Sequence, residues 1–271
     1  MKQSWNYWSD WLNLLVRWMH VFTAILWVGQ TYFFTWMDGQ LSEAEAALKG
    51  SGEKAQLWMV HSGGFYVVEK QKVAELSRKL HWFRFEALLT WLSGVVLLVL
   101  VYYMSSILVD PDGPVSHRTG VLIGVGLLIF SWVIYDLLCR TPLVRQELAF
   151  AVVCYLLVVG VAYGLTRYLS GRAAYLHLGA MFGTIMVSNV WMRILPPQRK
   201  MIAAMREGRM IEESLSAGAK LRSKHNTFMV VPLIFTMLSN HFPVATNGYH
   251  WTVLAALVLC GWIAAKFIRR A

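Results

Sequence analysis

Charged residues are scarce in this sequence. Asp, Glu, Lys and Arg make up 15% of the 271 residues, well below the roughly 25% that is usual in globular proteins. Hydrophobic residues make up 57%, and the mean hydropathy is +0.48. This composition is too apolar for a soluble domain of this length, so we expect the lipid bilayer to act as the solvent for most of the chain.

Cysteine is also rare. The three cysteines, Cys139, Cys154 and Cys260, are far apart and never form the Cys-x-x-Cys spacing of zinc sites or the Cys-x-x-Cys-His motif that attaches c-type haem. The N-terminal residues lack the basic segment, short apolar stretch and cleavage site of a secretory signal peptide. We therefore expect no disulfide framework, no zinc site, no covalently attached haem, and a first apolar stretch that stays in the mature protein.

Long apolar stretches, by contrast, are abundant. A helix needs about 20 mostly apolar residues to cross a bilayer, and seven stretches approach or exceed this length. The sixth is short and contains Pro232, which predicts a kink in its helix. The sequence predicts an all-α fold, a polytopic membrane helix bundle of about seven transmembrane helices in a single domain, residues 1–271. The predicted spans are residues 11–37, 82–108, 118–139, 147–169, 173–195, 226–242 and 250–268.

Basic residues are distributed unevenly between the two sides of this predicted bundle. Eighteen of the 25 Lys and Arg residues lie in alternate connections, namely 38–81, 140–146, 196–225 and the C-terminal end, whereas the opposite side has three. Because cytoplasmic loops are enriched in Lys and Arg, the N-terminus is predicted to be periplasmic and the C-terminus cytoplasmic, in a bacterial inner membrane. This topology also explains the net charge of +10 without a nucleic-acid partner.

The two longest predicted cytoplasmic loops carry local structure. In 38–81, the segment SEAEAALKGSGEKA predicts a short polar helix, and WMVHSGGFYVVEK predicts two extended runs around Ser62-Gly63-Gly64. The other loop, 196–225, begins with two prolines and predicts a basic surface helix.

Two histidines lie at comparable predicted depth near the outer face. His20 is about 13 Å along the first span and His177 about 8 Å along the fifth, at 1.5 Å per residue. Two imidazoles facing each other within a bundle can ligate the iron of haem b, and Arg17, three residues from His20, would pair with a haem propionate. The alternative is that each histidine simply forms hydrogen bonds between helices.

A second group of polar residues lies near the inner face. Arginine and amide donors suit a flat heteroaromatic anion, and a carboxylate or imidazole can take up the protons that an oxidation releases. The alternative is that Arg84 and Arg193 only reach toward headgroups while Glu86 pairs with one of them. The candidate catalytic residues are Glu69, Glu86 and His225, and the candidate substrate-binding residues are Arg84, Asn189, Arg193 and Asn226.

Three other histidines are candidate haem ligands, and one aspartate has a simpler structural interpretation. A second haem held by His81 and His225 would turn the inner group into an electron relay, and His241 is a further candidate haem ligand. Asp136 is most simply interpreted as the ion-pair partner of Arg140, which lies four residues away on the same helix face.

Long segments of the chain resemble the membrane domain of the membrane-bound, cytochrome-linked urate hydroxylases. The similar segments include RWMHVFTAILWVG, GGFYVVEK, LHWFRFEALLTWLSG, HLGAMFGTIMVSNVW, PPQRKMIAAM and SKHNTFMVVPLIFTMLSNHFP. The resemblance implies oxidation of urate with water to 5-hydroxyisourate, with electrons passing through haem b to a c-type cytochrome. Members of this family commonly continue into a further helix and a C-terminal cytochrome c domain, and this chain carries no Cys-x-x-Cys-His motif for such a domain.

Three other functions are compatible with the residues alone. They are a haem-b membrane subunit that only relays electrons, a small membrane porphyrinogen oxidase, and a purine or anion carrier without a redox centre. Carriers commonly show internal repeats and matching broken helices, whereas only the sixth span here is interrupted by proline.

Overall fold

Helices make up most of the computed structural model, which describes residues 2–50, 52–70, 80–239, 241–242 and 250–269. The side chains of residues 2–7 and 250 lie outside this description, as do Lys72, Arg78, Lys79 and Arg270 from the charge count. Single π-helical turns form at Val99–Tyr103 and Asn189–Ile194, and a 3₁₀ turn forms at Pro142–Arg145. The predicted all-α fold is confirmed. The helices are α1 (Lys2–Ala47), α2 (Phe85–Leu98), α3 (His117–Leu138), α4 (Glu147–Tyr168), α5 (Gly171–Ser188), α6 (Leu195–Arg206), α7 (Glu213–Ser239) and α8 (His250–Ile268).

Among the described residues, six helical stretches are long and apolar enough to cross a membrane. Each corresponds to one of the predicted spans. The remaining predicted span, 226–242, lies mainly in the second half of α7, whose first half is polar, and α7 is not among the six. The six are Trp8–Ala47, Phe85–Tyr103, His117–Leu138, Glu147–Tyr168, Gly171–Arg206 and Trp251–Ile268.

Two of these stretches are longer than a bilayer requires. The 40 residues of Trp8–Ala47 and the 36 of Gly171–Arg206 are about 60 Å and about 54 Å long at about 1.5 Å per residue, against a hydrocarbon core of about 30 Å. One end of α1 and most of α6 would therefore project beyond the apolar layer. The predicted short polar helix is not separate, because α1 continues through it to Ala47.

A two-stranded hairpin follows α1, as predicted. Strand β1 (Gln56–His61) pairs antiparallel with β2 (Gly64–Glu69). The connecting residues, Ser62 and Gly63, have φ values of 49° and 78°, and positive φ at both central residues suits the two-residue turns that match strand twist.

Helix α5 lies at the centre of the bundle. It contacts α2, α3, α4 and α7, and most of its side chains are buried. Gly179 allows a close approach, since a Cβ added there would meet the side chains of Thr236 and Met237 on α7. Helices α1, α3 and α4 expose many large apolar side chains on their outer faces, as expected where a bilayer covers them.

Candidate functional site

Three arginines from three different segments converge on one carboxylate. We call Asp136, Arg140, Arg193 and Arg222 the arginine cluster. Arg140 follows Asp136 by one helical turn, and its Nη2 donates to Oδ2 at 2.7 Å. Arg193, on the π turn after α5, donates from Nε to Oδ1 at 2.7 Å, and Arg222 of α7 donates from Nη2 to Oδ1 at 2.8 Å. The cluster therefore joins α3, α5 and α7 at one end of the bundle.

The charges in this cluster do not balance. The Asp136 side chain is 4% exposed and that of Arg222 is 8% exposed, whereas that of Arg140 is 58% exposed. One negative charge faces three positive charges, so the cluster carries an excess of two positive charges. The predicted Asp136–Arg140 pair is confirmed, and Arg193 donates to Asp136 rather than only reaching toward headgroups.

A chain of polar side chains extends from this cluster. Arg222 Nη1 donates to Asn189 Oδ1 at 3.3 Å, and Asn189 Nδ2 donates to Asn226 Oδ1 at 2.9 Å and to Tyr135 Oη at 3.2 Å. Tyr135 Oη lies 2.8 Å from His225 Nδ1. The structure thus brings four predicted site residues, Asn189, Arg193, His225 and Asn226, into one network whose polar groups largely satisfy one another.

The π turn that carries Asn189 and Arg193 has a local cause. Pro196 and Pro197 follow it at the start of α6, and proline has no N–H to donate to the carbonyl one turn earlier. The helix accommodates the missing bonds by widening to a π turn, a geometry that is frequent at functional sites. This widening changes the angle between successive side chains around the helix axis. Side chains on and after the π turn therefore point in directions that differ from those of an uninterrupted α-helix.

Tryptophans from α1, α2, the segment before α2 and the π turn itself pack around one small core. Trp27, Trp82, Trp91 and Trp191, which we call the tryptophan cluster, pack around a small buried core that contains Ala87. Trp91 Nε1 donates to Thr184 Oγ1 at 3.0 Å, which ties α2 to α5.

Polar atoms near the tryptophan cluster lack hydrogen-bond partners. Arg84 Nε, Glu86 Oε2 and Trp191 Nε1 are buried without a partner in the described part of the chain. The Arg84 guanidinium carbon lies 5.7 Å from the Trp82 ring centroid, and Glu86 precedes Ala87 on α2. Among the described residues Glu86 forms no ion pair with Arg84 or Arg193, contrary to the alternative interpretation. A buried polar atom without a partner costs about 1–3 kcal/mol, so these three atoms indicate a place for a ligand or water.

Three other predicted site residues are members of neither cluster. Glu69 Oε1 accepts a hydrogen bond from Gln56 Nε2 across the hairpin. His81 is exposed, with its ring 4.4 Å from that of Phe83, and His241 is exposed just after α7. None of these has a described contact with His225.

The two outer histidines do not face each other. His20 Nδ1 lies 2.9 Å from the Thr90 carbonyl oxygen, whereas His177 Nε2 lies 3.2 Å from Tyr103 Oη. His20 also contacts Ser93 and lies beside Gly94, which is nine residues before Tyr103, so the two sites of contact are about 13 Å apart along α2 and its π turn. Arg17 is exposed, and its Nε donates to Asn13 Oδ1 at 2.6 Å.

Both nitrogens of His177 are engaged by the protein. Its Nδ1 donates to the Ala173 carbonyl at 2.7 Å, and a Cβ added to Gly124 would lie 2.7 Å from Nε2. The residues as arranged do not fit a haem held between His20 and His177. Haem b in this protein stays a prediction.

Sequence reasoning assigned no role to Arg222, Tyr135 or Trp191. Arg222 lies in a basic segment that was interpreted as surface charge, although its spacing of four residues from Asn226 places both on one face of α7. Nothing in the sequence distinguishes Trp191 from the other tryptophans.

One comparison with known proteins identifies a family for this chain. A family model described as urate oxidase N-terminal matches residues 6–271. No curated protein matches the chain, and no solved structure does. A urate oxidase family implies an oxidoreductase, and the match covers almost the whole chain. The protein therefore belongs to the urate oxidase N-terminal family.

Proposed function

We propose that this protein is a bacterial inner-membrane enzyme that oxidises urate to 5-hydroxyisourate and delivers the electrons to a c-type cytochrome. In the balanced reaction, uric acid and one water give 5-hydroxyisourate, two protons and two electrons. Each c-type cytochrome accepts one electron, so two cytochromes are reduced for each urate. The proposed topology has a periplasmic N-terminus and a cytoplasmic C-terminus.

The observation that carries this proposal is the set of unpartnered polar atoms at the tryptophan cluster. Arg84 and Trp191 offer N–H donors, and Glu86 offers a carboxylate acceptor. Urate is a flat anion with carbonyl acceptors and ring N–H donors, so it complements both kinds of group. Indole faces such as those of Trp82 and Trp91 suit a planar heteroaromatic ring.

The residues then have distinct proposed roles. The Arg84 guanidinium offsets the negative charge of urate and orients its ring. Glu86 accepts a proton as the ring is oxidised and attacked by water. The arginine cluster holds the π turn that carries Trp191, and its excess of two positive charges favours an anion nearby. His225, at the end of the polar network, is a second proton acceptor.

The first test replaces the proposed proton acceptor. We expect Glu86→Gln, which keeps the size of the side chain, to lower kcat/KM for urate by about 100-fold or more, since general-base catalysis commonly contributes that much. The assay is urate-dependent reduction of c-type cytochrome in isolated membranes without oxygen. Exposed Glu43, near the end of α1, provides the matched control, and Glu43→Gln should retain full activity.

The possible results distinguish the role of Glu86 from the reaction itself. Full activity of Glu86→Gln, with an unchanged thermal midpoint, would contradict the assigned role of Glu86. Failure of the unsubstituted protein to reduce cytochrome with urate would exclude the reaction itself. Uptake of urate without any reduction would instead favour a carrier.

A further inference from the structure

An open cleft lies between α6 and the segment that leads into α2. It has a volume of about 350 Å³ and is lined by Leu80, Trp82, Arg199, Ile202, Ala203 and Arg206. Ile202, Ala203 and Arg206 lie three, four and seven positions after Arg199, so these four residues form one face of α6. Because α6 belongs to the part of a 36-residue helical stretch that exceeds the bilayer thickness, this cleft would open to water.

The chemistry of the cleft suits an anion with an apolar ring. Arg199 and Arg206 are exposed, and neither has a hydrogen bond or ion pair in the described part of the chain. Arg209, just beyond the cleft, differs because its Nη2 pairs with Glu207 Oε2 at 2.5 Å. The remaining lining is the apolar surface of Leu80, Trp82, Ile202 and Ala203. Two exposed arginines beside a flat indole would bind a planar anion through charge and stacking.

The cleft is connected to the proposed substrate site through one residue. Trp82 lines the cleft, packs in the tryptophan cluster and contacts the Arg84 guanidinium. Arg199 and Arg206 therefore lie outside the buried site, and Trp82 forms a wall that is common to the cleft and to that site.

From this arrangement we infer that the cleft is a docking site that captures the urate anion from water through Arg199 and Arg206 and passes it along Trp82 to Arg84. This inference rests on the proposed function, because it names the entry route to the same site. Removing the two charges should weaken capture of urate and change KM more than kcat.

The test is equilibrium binding of radiolabelled urate to the purified full chain without any cytochrome, so that no turnover occurs. We expect Arg199→Ala/Arg206→Ala to weaken binding about tenfold at low ionic strength, within the range by which charged clefts concentrate ligands. The binding of the double variant should also depend less on salt. Lys200→Ala is the matched control, since it removes a positive charge from α6 outside the cleft lining, and its affinity should stay within about twofold.

Each result of this binding test either supports or overturns the docking site. A double variant with the affinity and salt dependence of the unsubstituted protein overturns the docking site, and so does Lys200→Ala if it weakens binding equally. Salt-dependent binding that requires both arginines, in a protein that never reduces cytochrome with urate, supports the cleft and overturns the proposed reaction. A parallel measurement of KM and kcat completes the test, because loss of kcat alone would place these arginines elsewhere in the mechanism.

Discussion

Replacing Asp136 by asparagine should destabilise the protein more than any other single change in the arginine cluster. The substitution preserves the side-chain shape but removes the negative charge that faces three arginines. The largest cost would fall on Arg222, because its side chain is 8% exposed. Its other described polar and ring contacts are a 3.3 Å hydrogen bond to Asn189 and the ring of Tyr135. Breaking a buried ion pair by removing one partner costs about 3–5 kcal/mol.

This cost translates into a measurable shift in thermal stability. For chains of this size, each 1 kcal/mol lowers the unfolding midpoint by about 2–4 °C, so Asp136→Asn should lower it by about 6–20 °C in detergent. Arg140→Ala is the control, because that arginine pairs with the same carboxylate but is 58% exposed. An exposed pair contributes at most about 1 kcal/mol, so its loss should shift the midpoint by less than about 4 °C.

A double variant isolates the physical cause. Adding Arg222→Met to Asp136→Asn removes the stranded charge while keeping a long apolar side chain, and it should recover part of the lost stability. If Asp136→Asn is no less stable than Arg140→Ala, Asp136 does not neutralise buried charge. If the double variant is less stable than Asp136→Asn, the stranded Arg222 charge is not the source of the loss.

Two further changes test the packing around α5. Thr184→Val should cost about 1–3 kcal/mol, because it leaves the Trp91 indole N–H without its acceptor, whereas Thr184→Ser keeps the hydroxyl and should cost clearly less by thermal unfolding. Gly179→Ala should cost about 1–3 kcal/mol, since the added Cβ meets Thr236 and Met237; an unfolding midpoint equal to that of Gly160→Ala, where a Cβ meets nothing within 4 Å, would refute this packing.

The local features of this protein follow from short-range properties of the chain. Apolar length predicts helices wherever about 20 such residues run together, and Ser62-Gly63-Gly64 predicts the hairpin turn because glycine readily accepts positive φ. The Asp136–Arg140 pair follows equally directly, since residues four apart share a helix face. Asn189, Arg193, His225 and Asn226 all lie near the predicted inner ends of their helices, and in the structure they belong to one hydrogen-bond network.

The partners of these residues depended on information that a linear sequence does not contain. His20 and His177 have similar predicted depths, yet they contact α2 and its π turn about 13 Å apart, because the offset between neighbouring helices depends on how their surfaces pack. Arg84 and Glu86 are only two residues apart but form no ion pair among the described residues, since positions i and i+2 point in different directions on a helix.

The sequence by itself determined most of the helical segments and identified the six described stretches that are long and apolar enough to span a bilayer, although it also counted 226–242 as a span. Only the tertiary structure decided that Asp136 binds three arginines, that Arg222 is one of them, and that Arg84, Glu86 and Trp191 keep unpartnered atoms beside a tryptophan cluster. The reason is physical: hydropathy and propensity are sums over neighbouring residues, whereas a buried charge is stabilised by groups that the rotation and offset of separate helices bring together.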